Sequence, residues 1–172
     1  MQATEFSAQN KNFKGGFIPP FWYNIMNFTI ERITENNFSA FADMTYWRKN
    51  GAERKGETIR PSDMVKKHLA DKNFRVYAAA ADGRFVGWIA LVFMPKISWT
   101  DSGFVYVDEL WVQEDYRRCG IATALMKKAD EMKEEFSAIG VRLYVNVNNP
   151  SAKALYEKCG YVCQGTAEFM EK

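Results

Sequence analysis

The chain has 172 residues, of which 47% are hydrophobic and 26% charged, a balance typical of one globular domain with a buried core. Its net charge of +2 is too small to indicate a nucleic-acid partner, and no apolar run approaches the roughly 20 residues that a membrane-spanning helix needs. The three cysteines form no CxxC pair and the single histidine lies far from them, which favours neither a disulfide framework nor a metal site. We therefore expect reduced thiols in a cytoplasmic protein.

Residues 1–25 differ in composition from the rest of the chain. They contain six aromatic residues, together with the sequence breaks Gly15-Gly16 and Pro19-Pro20. Freely solvated segments are normally poor in aromatics. We therefore expect an extension that docks on the domain or on a partner, or that stems from an upstream start codon, ahead of a single domain at 26–172.

The first half of that domain predicts a strand, two helices and a hairpin. Alternating apolar residues predict a strand over 27–33, and apolar residues at helical spacing predict a helix from 38 to about 49. After a polar, glycine-containing loop, Pro61-Ser62-Asp63 is typical of a helix start. Two strands, 74–81 and 85–94, then flank Asp82-Gly83, a strong hairpin signal.

The second half continues with a central strand over 104–112 and a long helix from 121 to near 140. A strand over 141–147 follows, and Asn149-Pro150 is typical of a helix start with Asn as the N-cap. One or two last strands are expected in 161–172. The order predicts an α/β layer arrangement with a mixed sheet.

The stretch 116–123, Tyr-Arg-Arg-Cys-Gly-Ile-Ala-Thr, lies between the predicted central strand and the long helix. The first amides of a helix have no partner within the helix, and the helix dipole adds positive charge there. Gly120 would let a ligand approach the backbone closely, and Ala122 keeps the next side chain small. The stretch therefore predicts a phosphate site, or else an ordinary helix start with solvated arginines.

Two motifs of the chain, one after the other, resemble the two hallmark motifs of the GNAT superfamily of N-acetyltransferases. Arg117-x-x-Gly120-x-Ala122 is similar to the family's acyl-CoA signature, Q/R-x-x-G-x-G/A. The segment 149–161 is similar to the second hallmark, N-x-x-A-x-x-L-Y-x-x-x-G-[FY], and lies one strand further along. The segment 79–89 also resembles the family's strand-turn-strand, so that the similarity covers roughly 26–172.

The resemblance implies an α/β fold with a mixed, mostly antiparallel central sheet, helices on both faces and strands splayed at a cofactor slot. It also implies acetyl-CoA as cosubstrate. Main-chain amides of 118–122 would hold its pyrophosphate, Thr123 would add a hydroxyl, and the arginines would add charge or remain solvated. The central strand would pair with the pantetheine arm like an added strand. Asn149 would contact the cofactor or act only as an N-cap. The implied residues are Leu110, Trp111, Val112, Arg117, Arg118, Cys119, Gly120, Ile121, Ala122, Thr123 and Asn149.

Two side chains are candidates for catalysis. Adjacent strand residues point to opposite faces, so at most one of Asp108 and Glu109 can face the slot. By resemblance we assign Glu109 as the base, with a salt bridge as the alternative role. Tyr156 occupies the family's general-acid position, with core packing as the alternative. We expect direct attack by the amine, with no acyl-enzyme.

The resemblance implies transfer of an acetyl group to a primary amine of a small molecule or protein. The acceptor is expected near 46–63 with Trp47, and near Trp99 and Phe169. The basic balance of the first loop disfavours polyamines. We expect no metal, nucleic acid or membrane partner, and leave a homodimer open. The alternative function is a non-catalytic acyl-CoA sensor or interaction module, with 1–25 recruiting a partner.

Overall fold

The structure, a computed structural model, describes residues 26–97, 102–168 and 170–172. The extension 1–25, Trp99 and Phe169 lie outside the described residues, so that the predictions for them stay predictions. The strands are β1 (Thr29–Arg32), β2 (Phe74–Ala81), β3 (Arg84–Pro95), β4 (Gly103–Val112) and β5 (Gly140–Leu143). The helices are α1 (Phe38–Asn50), α2 (Asp63–Ala70), α3 (Ile121–Glu135) and α4 (Pro150–Lys158), with a 3-10 turn at Glu114–Tyr116.

The strands form one sheet in the order β1-β2-β3-β4-β5. Neighbouring strands are antiparallel from β1 to β4, and β5 lies parallel to β4. A parallel pair needs a long crossover connection, and α3 supplies it. The predicted α/β fold with a mixed, mostly antiparallel sheet is confirmed.

Two apolar clusters cover the two faces of the sheet. On the α3 face, the apolar stripe of α3 packs against the strands. Tyr156 of α4 and Cys159, which follows that helix, pack at the margin of this cluster. On the α1 face, α1 and α2 cover a second cluster around Ile33, Val76 and Trp88. No helix in the described ranges is long and apolar enough to cross a membrane.

A β-bulge in β4 decides which side chains reach each face. Leu91 pairs with Val107 but Ala90 pairs with Glu109, so that Asp108 is one residue extra. Before the bulge the odd-numbered residues of β4 pack on the α3 face, and after it the even-numbered ones do. The inserted residue thereby moves Glu109 to the α1 face, because a shift of one residue exchanges the faces of a strand.

Two predicted element boundaries and the strands predicted at the end of the chain are wrong. Helix α3 ends at Glu135 rather than near 140, because Ser137 adopts a left-handed φ of 46° and the amide of Ala138 donates to Lys133 O at 2.8 Å, which closes a Schellman motif. Strand β5 ends at Leu143, and the Asn146 side chain then accepts from the amide of Asn148 in a turn. The described residues beyond 160 form no strand, since they pair with no neighbouring strand.

Candidate functional site

The amino terminus of α3 presents free backbone donors. The first amide to bond back along the helix is that of Ala124, which donates to Gly120 O at 3.0 Å. Within the described ranges, the amides of 118–123 donate to no backbone carbonyl. Together with the helix dipole, these donors are the kind of group that binds an anion, and the diphosphate site stays a prediction.

Gly120 shapes the turn that exposes these amides. Its φ is 87°, in the left-handed region where a side chain is strained, and Arg118 also has a positive φ of 64°. A Cβ built at Gly120 would meet no heavy atom within 4 Å, so that the space beside the turn is open. The turn therefore fits a phosphate group that approaches the main chain.

Tyr116 fixes the turn to the rest of the sheet. Its side chain is buried, and its hydroxyl donates to Asp82 Oδ2 at 3.0 Å in the β2–β3 hairpin. The Arg84 guanidinium lies over the same ring, 5.8 Å from its centroid. The sequence did not predict this role, since a lone aromatic residue after a strand indicates only core packing.

The two arginines of the turn differ in their contacts. Arg117 Nε donates to Val112 O at 3.0 Å, so that its guanidinium caps the end of β4. Arg118 is exposed and makes no hydrogen bond or ion pair within the described part of the chain. Of the two, Arg118 has the side chain that is free to reach a phosphate.

The edge of β4 opens beyond its pairing with β5. The two strands pair only over Phe104–Val107 of β4, while β3 continues to pair as far as Val112. The amide of Gln113 donates to Val86 O on the β3 side. Alternate residues of a strand direct their main-chain groups to the same edge. The main-chain groups of Trp111 therefore also point to β3, and those of Leu110 and Val112 point to the open edge.

This open edge leaves main-chain groups of β4 without a strand partner in the described part of the chain. The carbonyl of Val112 is taken by Arg117, which leaves both polar groups of Leu110 and the amide of Val112. Of the residues 110–112 for which main-chain pairing is predicted, these two have free groups at the open edge, whereas Trp111 packs its ring on the α1 face. The pairing itself stays a prediction.

Glu109 lies on the α1 face beside a pocket of about 390 Å³. Its Oε1 accepts from Arg48 Nη1 at 3.3 Å, so that the salt bridge considered from the sequence is present. The Arg48 guanidinium also lies 4.8 Å from the centroid of Trp88 and 5.8 Å from that of Trp111. The pocket is lined by Thr45, Arg48, Lys49, Trp88 and Glu109.

Three tryptophan rings lie together at this pocket. The rings of Trp88 and Trp111 are 5.0 Å apart, and Trp47 lies 6.2 Å from Trp111. Trp88 is only 2% exposed. Trp47, which belongs to the predicted acceptor region, therefore lies near this pocket. The sequence did not predict the positions of Trp88 and Arg48 in the pocket, because these positions depend on contacts between distant segments.

Tyr156 lies on the α3 face, half-buried and packed against the apolar cluster. Burial, and to a lesser degree Cys159, raises its pKa above the usual 10.0, so that the phenol keeps its proton at neutral pH. Its ring centroid is 6.2 Å from that of Tyr161. Core packing and a proton-donating role are therefore compatible in this residue.

The remaining predicted residues lie close to the turn or to α4. Cys119, Ala122 and Thr123 are half-buried, and the side chain of Ile121 is in the core, which leaves its amide for a ligand. Asn149 Oδ1 accepts from the amide of Ala152 at 3.0 Å, as an N-cap does. Among the described residues, no group of three or more His, Cys, Asp or Glu could hold a metal ion.

The chain is similar to known proteins. A family model described as the acetyltransferase (GNAT) family matches residues 40–161. An N-alpha-acetyltransferase of Sulfurisphaera tokodaii is 36% identical over 104 residues, which is 55% of this chain and 60% of that protein. The match thus spans less than two thirds of that relative.

Solved structures share the fold. An aminoglycoside acetyltransferase from an uncultured soil metagenomic sample, in complex with trehalose, superposes with a TM-score of 0.70 at 20% identity, over 84% of this chain and 95% of that one. An aminoglycoside N-acetyltransferase in complex with CoA gives a TM-score of 0.65 at 14% identity, over 83% and 98% of the two chains.

Proposed function

Because the chain belongs to the acetyltransferase (GNAT) family, we propose that it transfers an acetyl group from acetyl-CoA to a primary amine by direct attack. The observation that carries this proposal is the turn before α3, where free amides and a left-handed glycine lie beside the open edge of β4. We further propose that the enzyme acts in the cytoplasm, in keeping with its free cysteines.

Acetyl-CoA is the donor used by this family, and the chain's own groups suit it. The amides of 118–122, with the Thr123 hydroxyl and the Arg118 guanidinium, would bind its pyrophosphate. The free main-chain groups of Leu110 and Val112 would bind the extended pantetheine arm along β4. The acetyl thioester supplies the activated carbonyl that the amine attacks.

Glu109 and Tyr156 handle the two protons of the reaction. A primary amine has a pKa of about 10 and is mostly protonated at neutral pH, so that a base must accept a proton from it, directly or through water. Glu109 lies in the pocket on the α1 face and is assigned that role. As the carbon–sulfur bond breaks, the Tyr156 hydroxyl donates a hydrogen bond or its proton to the leaving thiolate.

Changing Glu109→Gln tests the base. We expect kcat/KM at neutral pH to fall by about 10²-fold, a typical contribution of general-base catalysis, and the acidic limb of the pH–rate profile to move. Affinity for acetyl-CoA in calorimetry should not change, since Glu109 faces away from the α3 turn. Asp108→Asn is the matched control, because it removes the neighbouring carboxylate of the bulge. An unshifted profile in Glu109→Gln would mean that the base is another group.

A thiol-release assay with acetyl-CoA tests the function itself. The amines should include peptides with a free α-amino group and aminoglycosides, because these are the acceptor types that the names of similar proteins indicate. Amine-dependent release of CoA supports an acetyltransferase. Binding of acetyl-CoA in calorimetry with no release for any amine would favour the alternative, a sensor that binds acyl-CoA without catalysis. Absence of binding at millimolar acetyl-CoA would remove both.

A further inference from the structure

The pocket beside Glu109 carries more positive than negative charge. Two of its lining residues, Arg48 and Lys49, are cationic, and Glu109 is the one carboxylate. Within the described ranges, Lys49 makes no ion pair. The hydroxyl of Thr45 donates to Ala42 O at 2.9 Å, so that its proton is already used. An acceptor that carried only positive charge would meet this excess of like charge.

Arg48 and Glu109 each use only part of their binding capacity on the other. A single bond joins Nη1 to Oε1 at 3.3 Å, longer than a strong charge-assisted contact. In the described part of the chain, no hydrogen bond reaches Glu109 Oε2 or the other donors of Arg48. Both side chains are also partly exposed, 42% for Arg48 and 51% for Glu109.

A second arginine–glutamate pair in the same chain shows the contrast. Arg75 bonds to Glu135 with both terminal nitrogens, with Nη1 2.6 Å from Oε2, and the Arg75 side chain is only 9% exposed. That pair uses the full fork of the guanidinium, as structural pairs do. The Arg48–Glu109 pair instead leaves one anionic acceptor and one cationic donor edge side by side in an open pocket.

Trp88 and Trp111 hold the Arg48 guanidinium in place. The centroids of the two rings are 5.0 Å apart, so that both rings lie on the same side of the guanidinium and support it there. Lys49 is the next residue of α1 after Arg48 and adds a second positive charge to the same pocket. This arrangement is complementary to a ligand that carries an ammonium group next to an anionic group.

We propose that the acceptor is an amine with a neighbouring carboxylate, that Arg48 and Lys49 bind this carboxylate, and that Glu109 Oε2 faces the ammonium group. The proposal rests on the proposed function and names its substrate class. Free α-amino acids and peptides with an acidic amino-terminal residue both carry this pair of charges. Polycationic amines do not, so that they are poor acceptors for this chain.

Matched amine pairs test the proposal in the full-length protein. Each pair shares its amine and differs in the carboxylate: an α-amino acid with its amide, and a peptide beginning with Asp with one beginning with Asn. We expect the carboxylate member of at least one pair to have a kcat/KM about tenfold or more higher, because a site that binds a charged group discriminates against its neutral analogue. The pair that shows the preference distinguishes free amino acids from peptides.

Variants assign the preference to named residues. Arg48→Gln should remove the preference, and Lys49→Gln should reduce it, mainly through KM for the carboxylate-bearing amine. Arg48→Lys keeps the positive charge but loses the forked guanidinium, and it should retain part of the preference for the carboxylate-bearing amine. This variant also shows whether the loss in Arg48→Gln comes from the charge or from the packing of the side chain. Lys67→Gln, a charge change on α2 outside the pocket, is the control and should leave the preference intact.

The outcomes distinguish a failure of this substrate class from a failure of the proposed acetyltransferase function. Equal kcat/KM within every pair, faster turnover of aminoglycosides, or a preference that survives both Arg48→Gln and Lys49→Gln would overturn the substrate class, while transfer to any amine would leave the acetyltransferase intact. Binding of acetyl-CoA with no turnover of any amine would remove the function and this proposal together.

Discussion

Two neighbouring tyrosines allow a test of catalysis at a single hydroxyl. Tyr156 and Tyr161 lie 6.2 Å apart, and burial raises the pKa of both. Tyr156→Phe keeps the ring and removes the proposed donor to the thiolate. We expect kcat to fall by about 10²-fold with little change in melting temperature, a size typical of general-acid catalysis. Because the pKa of Tyr156 is raised above 10.0, its own ionisation should not reduce kcat of the native enzyme below pH 9.

Tyr161→Phe is the matched control for that experiment. The Tyr161 hydroxyl is buried and makes no hydrogen bond to any described residue, so that removing it relieves an unpaired polar group. We expect unchanged kcat and equal or higher stability. If both variants turned over at the native rate, Tyr156 would have a packing role only.

Some site residues could be predicted from the sequence because their positions are local. Gly120 lies in the turn before the long helix, where the sequence predicts it, and Tyr156 lies on the helix that the resemblance assigns to the second motif. Their roles stay predictions. The surroundings of Glu109 could not be predicted in this way. Its face depends on the bulge at Asp108, which appears only when β4 is aligned with β3, and its partner Arg48 is 61 residues away.

At the scale of the element, the amino terminus of α3 depends on one left-handed residue. Gly120→Ala introduces no clash, but the φ of 87° costs a residue with a Cβ about 1–2 kcal/mol. Relaxation of this strain would turn the amides away from a bound phosphate. We expect the calorimetric Kd for acetyl-CoA to rise by about tenfold, equivalent to about 1.4 kcal/mol.

Gly51→Ala separates strain from binding in that experiment. Gly51 caps α1 with a φ of 65° and equally open space around its Cα, so that the substitution costs a similar amount of stability. It lies away from the α3 turn and should leave the Kd for acetyl-CoA unchanged. An unchanged Kd in Gly120→Ala would mean that the amides of this turn do not bind the phosphates.

Elements with local signals were predicted well, and elements that need a distant partner were not. Ser62 accepts from the amide of Val65 and caps α2 as its residue type suggests, and Asn149 does the same for α4. The Asp82-Gly83 hairpin also has its predicted place. The strands expected after residue 160 required a pairing partner that no local pattern can reveal.

At the scale of the whole molecule, the sheet separates two functional sides. Tyr156 and the turn that we propose binds the cosubstrate lie on the α3 face. The pocket lined by Glu109, where we propose that the acceptor binds, lies on the α1 face. The proposed acetyl transfer would take place across the sheet where β4 and β5 no longer pair, beyond Leu143. The position of α3 against the sheet therefore matters to both sides, and Arg75 of β2 fixes the far end of this helix through Glu135.

This contact makes the stability of the whole domain depend on pH. The hydrogen bond from Arg75 lowers the pKa of Glu135 below its usual 4.5 in the folded chain. A carboxyl with a lower pKa in the folded state stabilises the fold above its unfolded pKa, and the contribution is lost as the pH falls through the folded value. Glu135→Gln should therefore unfold more easily at pH 7 and differ little from the native protein in strong acid.

We expect the free energy of unfolding of Glu135→Gln to fall by about 1–2 kcal/mol at pH 7, measured in urea. This is less than for a fully buried pair, because Glu135 is 57% exposed and water screens its charge. Glu134→Gln, in the same turn of α3 and 77% exposed, is the control and should change stability by less than about 0.5 kcal/mol. Equal losses in both variants, or a loss in Glu135→Gln that persists at low pH, would show that the Arg75 contact does not hold α3 on the sheet.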